Sequence, residues 1–266
     1  MSINWQAWLL RYLEACFQET VRGVYSSPAY LLEPDPNAIL LDCGCNNGIY
    51  SQQLGQQLGT KQIYGLEYNQ TLAQEGAQHG VQVLCSDLNV AIPLPDHSVT
   101  VVTAFNVLEH LVETQRFLSE IYRVLTPGGY AIINTPNLAS WHNIAALLVG
   151  LQPFSGPNID SMTESDVPIV RRMHRRAYQL PEEPEYLSLP EPERHRHIVV
   201  VAFRSLQKAL VRTGFEIEAA LGFGYYPLPP ALATPMSRID PAHAHHMVIK
   251  ARKPLVQSGL SRTVVQ

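Results

Sequence analysis

Residues 39–51 read Ile-Leu-Leu-Asp-Cys-Gly-Cys-Asn-Asn-Gly-Ile-Tyr-Ser, and this stretch decides the fold. An apolar run, Ile39 to Leu41, ends in an acid, Asp42; a turn framed by Gly44 and Gly48 follows, and from Ile49 the sequence can start a helix. Apolar strand, glycine turn and helix is how open α/β sheets present backbone N–H groups and a helix N-terminus to a ligand at the carboxyl edge of the sheet. The details narrow that ligand. A dinucleotide fingerprint starting at Gly44 needs glycine at 46 and 49, where the chain has Asn46 and Ile49. A phosphate-cradling loop needs Gly-Lys-Ser/Thr, and the stretch has no lysine. An acid just before the turn also repels a pyrophosphate and suits a cation.

Working outward, residues 61–69 read as a second short strand ending in Glu67. An acid about 20 residues past a glycine turn is where a ribose diol is held in such folds, because a carboxylate can accept from both hydroxyls. Residues 81–88 give a third strand ending in Asp87, and Pro93 and Pro95 argue against a long helix capped there. Val99 to Phe105 reads as strand four. Phe117, Leu118, Ile121, Tyr122 and Leu125 then form an amphipathic helical stripe, stopped by Thr126-Pro-Gly-Gly129. Tyr130 to Asn137 is the fifth strand and the loop after it.

The glycine turn resembles motif I of the class I S-adenosylmethionine-dependent methyltransferases, Asp-x-Gly-Cys-Gly-x-Gly. Asp42, Gly44, Cys45 and Gly48 match. Asn46 stands where the family has its middle glycine, and asparagine tolerates positive φ, so the turn can survive. Residues 91–111, from Ala-Ile-Pro-Leu-Pro-Asp to Val-Leu-Glu-His-Leu, are similar to the branch that contains quinone-biosynthesis and natural-product methyltransferases. The Pro-Gly-Gly, strand and Thr-Pro-Asn series that follows is similar to that branch too.

The resemblance implies a doubly wound, mostly parallel, seven-stranded Rossmann-like sheet with a terminal antiparallel strand and an inserted lid. It implies S-adenosyl-L-methionine as cofactor, held by Asp42, Gly44, Cys45, Asn46 and Gly48 at the turn and by Glu67 on the ribose. Asp87 would accept from the adenine amino group, Leu88 would donate its backbone N–H, and Asn106 would face cofactor and acceptor. The implied reaction is methyl transfer to a small-molecule acceptor by in-line displacement. The alternative is a catalytically silent methyltransferase-like binding or assembly protein.

The chain divides accordingly into a lead-in (1–36), a cofactor-binding half (37–137), an inserted lid or acceptor region (138–200), the rest of the core (201–254) and a polar tail (255–266). In the lead-in, Trp5, Trp8, Leu9, Tyr12, Leu13, Cys16 and Phe17 make one aromatic helical face over residues 4–21. That face can cover the pocket or pack on the sheet; Arg11 and Arg22 against Glu14 and Glu19 give little cationic pull toward a membrane surface. The insertion carries an apolar helix (Trp141, Ile144, Leu147, Leu148, Leu151), then a basic cluster (Arg171, Arg172, His174, Arg175, Arg176), then an acidic, proline-rich run over 181–193. Such clusters are usually solvated or mutually paired, with an anionic acceptor as the sharper option. Beyond it, Phe203 to Thr213 reads as a helix capped by Gly214, and Phe215 to Leu221 and His246 to Ala251 as closing strands.

His110 and His197 are the candidate proton acceptors, since an unperturbed imidazole titrates near neutrality; His110 could equally bond backbone behind the pocket. His243, His245 and His246 flank what reads as an edge strand, without a carboxylate or cysteine at ligand spacing, so no metal is expected. With 266 residues, 46% of them hydrophobic, the chain can bury a full core. A net charge of −4 gives no electrostatic footprint for a nucleic acid. The four cysteines lack metal-ligand spacing and read as reduced thiols of a cytoplasmic protein. No apolar run approaches the length that spans a bilayer. The pattern carries no indication of oligomeric state.

Overall fold

In the computed structural model, which describes residues 5–159, 167–177 and 196–255, strand β1 (Ile39–Cys43) lies inside a seven-stranded sheet. Helices α1 (Trp5–Ser26) and α2 (Pro28–Leu31) precede it. Then come α3 (Ile49–Leu58), β2 (Gln62–Glu67), α4 (Gln70–Gln78), β3 (Gln82–Cys85) and β4 (Val99–Phe105). A single 3₁₀ turn (Leu108–His110) leads to α5 (Thr114–Val124) and β5 (Leu125–Pro136). The inserted region contributes α6 (Trp141–Leu148) and α7 (Pro168–Ala177). The chain closes with α8 (Phe203–Thr213), β6 (Glu216–Phe223), α9 (Pro230–Ile239) and β7 (His246–Arg252).

The strand order is β3-β2-β1-β4-β5-β7-β6. Pairing is parallel from β3 through β5, and β7 runs antiparallel to both β5 and β6. The chain steps outward from β1 to β3, then returns to lay β4 on the other side of β1. That reversal opens a crevice at the carboxyl ends of β1 and β4, where α/β sheets bind ligands. This is the doubly wound, Rossmann-like sheet that the motif order implies.

Side-chain alternation along β1 explains how the core forms on both faces. Leu41 and Cys43 point to one face, against Phe117, Leu118 and Ile121 of α5 and Leu206 and Leu210 of α8. Leu40 points to the other, against Leu54 and Leu58 of α3. All of these are essentially excluded from solvent, and burying a side chain of this size stabilises the fold by about 1.5–3 kcal/mol. Asp42 shares the face of Leu40, so it projects toward α3.

Four elements depart from the sequence reading. The last strand, β7, is interior rather than at an edge; the edges are β3 and β6. Its near-continuous apolar run, Met247, Val248, Ile249 and Ala251, is what a strand covered on both faces needs. Thr126 to Gly129 is no separate stop, because α5 ends at Val124 and β5 begins at Leu125, with a register shift against β4. The lead-in helix reaches Ser26 rather than residue 21, and β3 is shorter than residues 81–88.

Helix α1 rests its apolar side on the insertion: Leu10 and Phe17 pack with Met173 and Ile169 of α7, and Arg176 of the basic cluster pairs with Glu14 at 3.1 Å. Trp5 and Trp8 stay on the outside, 63% and 62% exposed. Among the described residues, no helix is long and apolar enough to cross a membrane. The acidic run over 181–193 and the tail beyond Leu255 lie outside the described residues.

Candidate functional site

The turn after β1 is built from three left-handed residues, Gly44 (φ 73°), Asn46 (φ 49°) and Gly48 (φ 78°). Asparagine thus takes the conformation that a glycine would hold, as its short polar side chain permits. The two glycines are needed for space as well. A Cβ on Gly44 would lie 2.5 Å from Val107, and one on Gly48 would lie 2.8 Å from the Gly76 backbone of α4. Between them Cys45 packs against Gly65 of β2, and burial pushes its thiol up to about 12, which leaves it inert. Gly48 has no side chain with which to cap α3, and Asn47 Oδ1 accepts from Ile49 N at 3.3 Å; the helix N-terminus still directs its partial positive charge toward a ligand.

Asp42 is sealed beneath this turn. Ser51 of α3 donates to its Oδ2 at 2.6 Å and Thr103 of β4 to its Oδ1 at 2.7 Å. Burial nevertheless outweighs these two bonds and raises the carboxyl to about 6. An anionic Asp42 is therefore short of solvation, and a cation bound above the turn would supply it.

Glu67 ends β2, where its Oε2 accepts from Asn46 N and its Oε1 from Asn69 N, both at 2.9 Å. The carboxylate so braces the turn, and each oxygen retains a second lone pair for a hydroxyl. Asp87 lies just past β3, exposed, with Oδ1 accepting from Asn89 N at 2.9 Å in a local turn and not at a helix start. Leu88 beside it is buried in the core.

Asn106 follows β4 with φ 53° and donates from Nδ2 to the Tyr25 hydroxyl at 3.1 Å. Its Oδ1 is buried with no hydrogen-bond partner. An orphaned buried acceptor is costly unless a ligand satisfies it. Tyr25, from the end of α1, also stacks into an aromatic group with Tyr50 (4.8 Å) and Phe105 (5.8 Å). Burial raises its phenol, and the carboxylates of Glu109 and Asp42 push the same way.

His110 and His197 come together although 86 residues separate His110 from the Arg196 carbonyl that it bonds. Their rings meet edge to face at 5.1 Å. His110 Nδ1 bonds Arg196 O at 2.9 Å and His197 Nδ1 bonds Ser155 O at 2.8 Å. Burial lowers both imidazoles, His197 to about 3, where it is a weak base. Glu109 beside them is buried, raised to about 7, and takes a hydrogen bond from Thr135 at 2.9 Å. Of the terminal histidines, His243 stacks on Trp141 and bonds Asp240, His246 is buried in β7, and the half-buried His245 meets its ring edge to face at 4.5 Å.

Several of these residues escape a sequence reading. Tyr25, Tyr50, Ser51 and Thr103 carry no motif spacing of their own, and Glu109 lies in the Val-Leu-Glu-His-Leu stretch without being singled out. Asn137 is another: its side chain donates to Ala242 O and Ala244 O and accepts from Phe203 N, which ties the end of β5 to the C-terminal part of the core. Only its place in the Thr-Pro-Asn run hints at that role.

Residues 41–133 match the family described as methyltransferase domain. Among curated proteins, the chain is 37% identical over 99 residues to one from Mycolicibacterium smegmatis named "Probable S-adenosylmethionine-dependent methyltransferase", covering 37% of this chain and 38% of that protein. It is 28% identical over 116 residues to the demethylmenaquinone methyltransferase of Listeria welshimeri, covering 40% of this chain and 49% of that protein. The chain thus spans less than half the length of these relatives. Among solved structures, an S-adenosylmethionine dependent methyltransferase from Mesorhizobium loti superposes with a TM-score of 0.55 at 17% identity, over 87% of this chain and 99% of that one. The cyclase SpnF superposes equally well, with a TM-score of 0.55 at 19% identity over 88% of this chain and 81% of that one. The fold is therefore the Rossmann-like one of class I methyltransferases. Within that fold, residues 41–133 are similar to the methyltransferase domain family and to proteins named as probable S-adenosylmethionine-dependent methyltransferases.

Proposed function

We propose that the protein transfers a methyl group from S-adenosylmethionine to a small-molecule acceptor. One observation carries the reading: a left-handed turn over a buried acid sits where the strand order reverses, with acids at the ends of the next two strands. The residues fit the cofactor chemically. The buried Asn106 Oδ1 lacks a donor, which an α-ammonium provides, and the N-terminus of α3 suits a carboxylate. Glu67 is the ribose acceptor, and Asp87 with the Leu88 N–H reads the adenine edge. S-adenosylmethionine supplies a methyl already made electrophilic by its sulfonium. What remains for the chain is to hold, orient and keep dry: the Tyr25, Tyr50 and Phe105 rings wall the crevice, and Asp42 offers the charge that favours a cation.

The acceptor side falls to the insertion, residues 138–200, between the cofactor half (37–137) and the rest of the core (201–254). Loops of this kind set substrate choice on a constant scaffold. A small acceptor is supported by the likeness to the Listeria demethylmenaquinone enzyme, although the alignment covers only 40% of this chain. A cytoplasmic location belongs to the same reading and is supported by the four free cysteines. The test is a transfer screen with methyl-labelled S-adenosylmethionine and fractionated cell extract. Label is expected in the low-molecular-weight fraction. Label confined to protein or nucleic acid would contradict the small acceptor, and bound cofactor without any transfer would favour a silent binding protein.

A further inference from the structure

Two segments distant in sequence bring three metal-ligating groups to one point beside the crevice. Glu109 and His110 come from the 3₁₀ turn after β4, and His197 from the segment returning to α8. One ligand atom of each lies within 4.8 Å of the others. The segments are stitched by backbone, since Ile198 N and Val199 N donate to Glu109 O at 2.6 and 3.1 Å. The ligand orientation is set as well. Both histidines face backbone carbonyls with Nδ1, at 2.9 Å for His110 and 2.8 Å for His197. A carbonyl can only accept, so each Nδ1 carries the proton and each Nε2 is the unprotonated nitrogen. Metal-binding histidines are oriented by this kind of outer bond, and the Thr135 hydroxyl fixes the Glu109 carboxylate in the corresponding way.

We propose that Glu109, His110 and His197 hold one divalent first-row transition ion through a carboxylate oxygen and two imidazole nitrogens. Two imidazoles and one carboxylate suit zinc or ferrous iron, whereas magnesium and calcium want oxygen alone. Three protein ligands also leave a coordination position open for an exogenous oxygen. The further consequence rests on the methyl-transfer reading. Asn106 and Glu109 lie three residues apart in the segment after β4, so the open position adjoins the cofactor edge. An acceptor hydroxyl bound there would release its proton to solvent water more readily. Its oxygen would then form the bond to the methyl carbon as the C–S bond breaks, the electron pair staying on sulfur. The acceptor class is thus a molecule with a ligating hydroxyl.

The experiment uses the full chain without an affinity tag, stripped with chelator. Calorimetry with zinc chloride is expected to give one ion per chain at submicromolar Kd, and magnesium chloride no comparable heat. Cobalt chloride should develop visible d–d absorption. Glu109→Gln and His197→Gln should each weaken zinc at least thirtyfold, while His243→Asn leaves it unchanged. Affinity for S-adenosylhomocysteine, measured on the same variants, reports whether each remains folded. No zinc heat and no cobalt spectrum in the wild-type chain would overturn the site whatever the variants do. Zinc affinity untouched by both glutamine changes would overturn it too, assigning the ion to other histidines. Ion binding is read here without turnover, so a failure of methyl transfer would be seen separately.

Discussion

Glu67→Ala is expected to bind S-adenosylmethionine about 100-fold more weakly than the wild-type chain. Two hydrogen bonds from ribose hydroxyls to a carboxylate are each worth about 1.5–3 kcal/mol, and about 1.4 kcal/mol is tenfold in affinity. The lower end of that range is appropriate, because Glu67 is only half-buried and solvent weakens its bonds. The structure adds a second route to the same loss, since Glu67 also braces the turn through Asn46 N and Asn69 N. A double-mutant cycle separates the two. The 2′-deoxy analogue of S-adenosylhomocysteine should lose about tenfold against the wild-type chain, the share of one such bond, and much less against the variant. An equal penalty in both would move Glu67 from the ribose to the turn.

Asp42→Asn is expected to stabilise the cofactor-free protein at pH 8 and to weaken the cofactor. Burial raises the Asp42 carboxyl from its ordinary 3.8 to about 6, so the folded state binds this proton more tightly than the unfolded one. The sign follows from linkage. Below pH 4 both states are protonated and there is no penalty; stability falls as pH rises from about 4 to 6, and the full cost applies above that. A shift of this size corresponds to about 3 kcal/mol. Asparagine keeps the shape, with a carbonyl to accept from one hydroxyl and an amide to donate to the other. Chemical denaturation should therefore show a stability gain at pH 8 that vanishes near pH 4. A variant equally or less stable than wild type at pH 8 would show that Asp42 is not a strained anion.

Both predictions concern residues that were legible in the sequence, and the reason is locality. The Asp42–Gly48 turn is a run of seven neighbours whose backbone demands are written in their types, down to asparagine at positive φ. Glu67 and Asp87 were placed because short parallel strands deliver their last residue to one edge. Helical spacing gave the stripe on α5. What stayed hidden depends on long-range packing. Tyr25 reaches Asn106 across 81 residues, and Thr103 reaches Asp42 across 61. No local period encodes such meetings. The position of β7 was misjudged for a related reason: strand order is a property of the sheet, although the apolar run of β7 did point to burial on both faces. The histidines show the same limit. His110 and His197 were singled out as bases because imidazole titrates near neutrality, yet burial lowers both and sets them beside Glu109.

The central claim is that the turn, Glu67, Asp87 and Asn106 form one site for S-adenosylmethionine. Isothermal titration of the purified wild-type chain tests it most directly. S-adenosylmethionine and S-adenosylhomocysteine are each expected to bind at one site per chain with micromolar affinity or better, and NAD to give no heat. The absence of heat with both sulfur ligands, at protein concentrations that detect micromolar binding, would contradict the account.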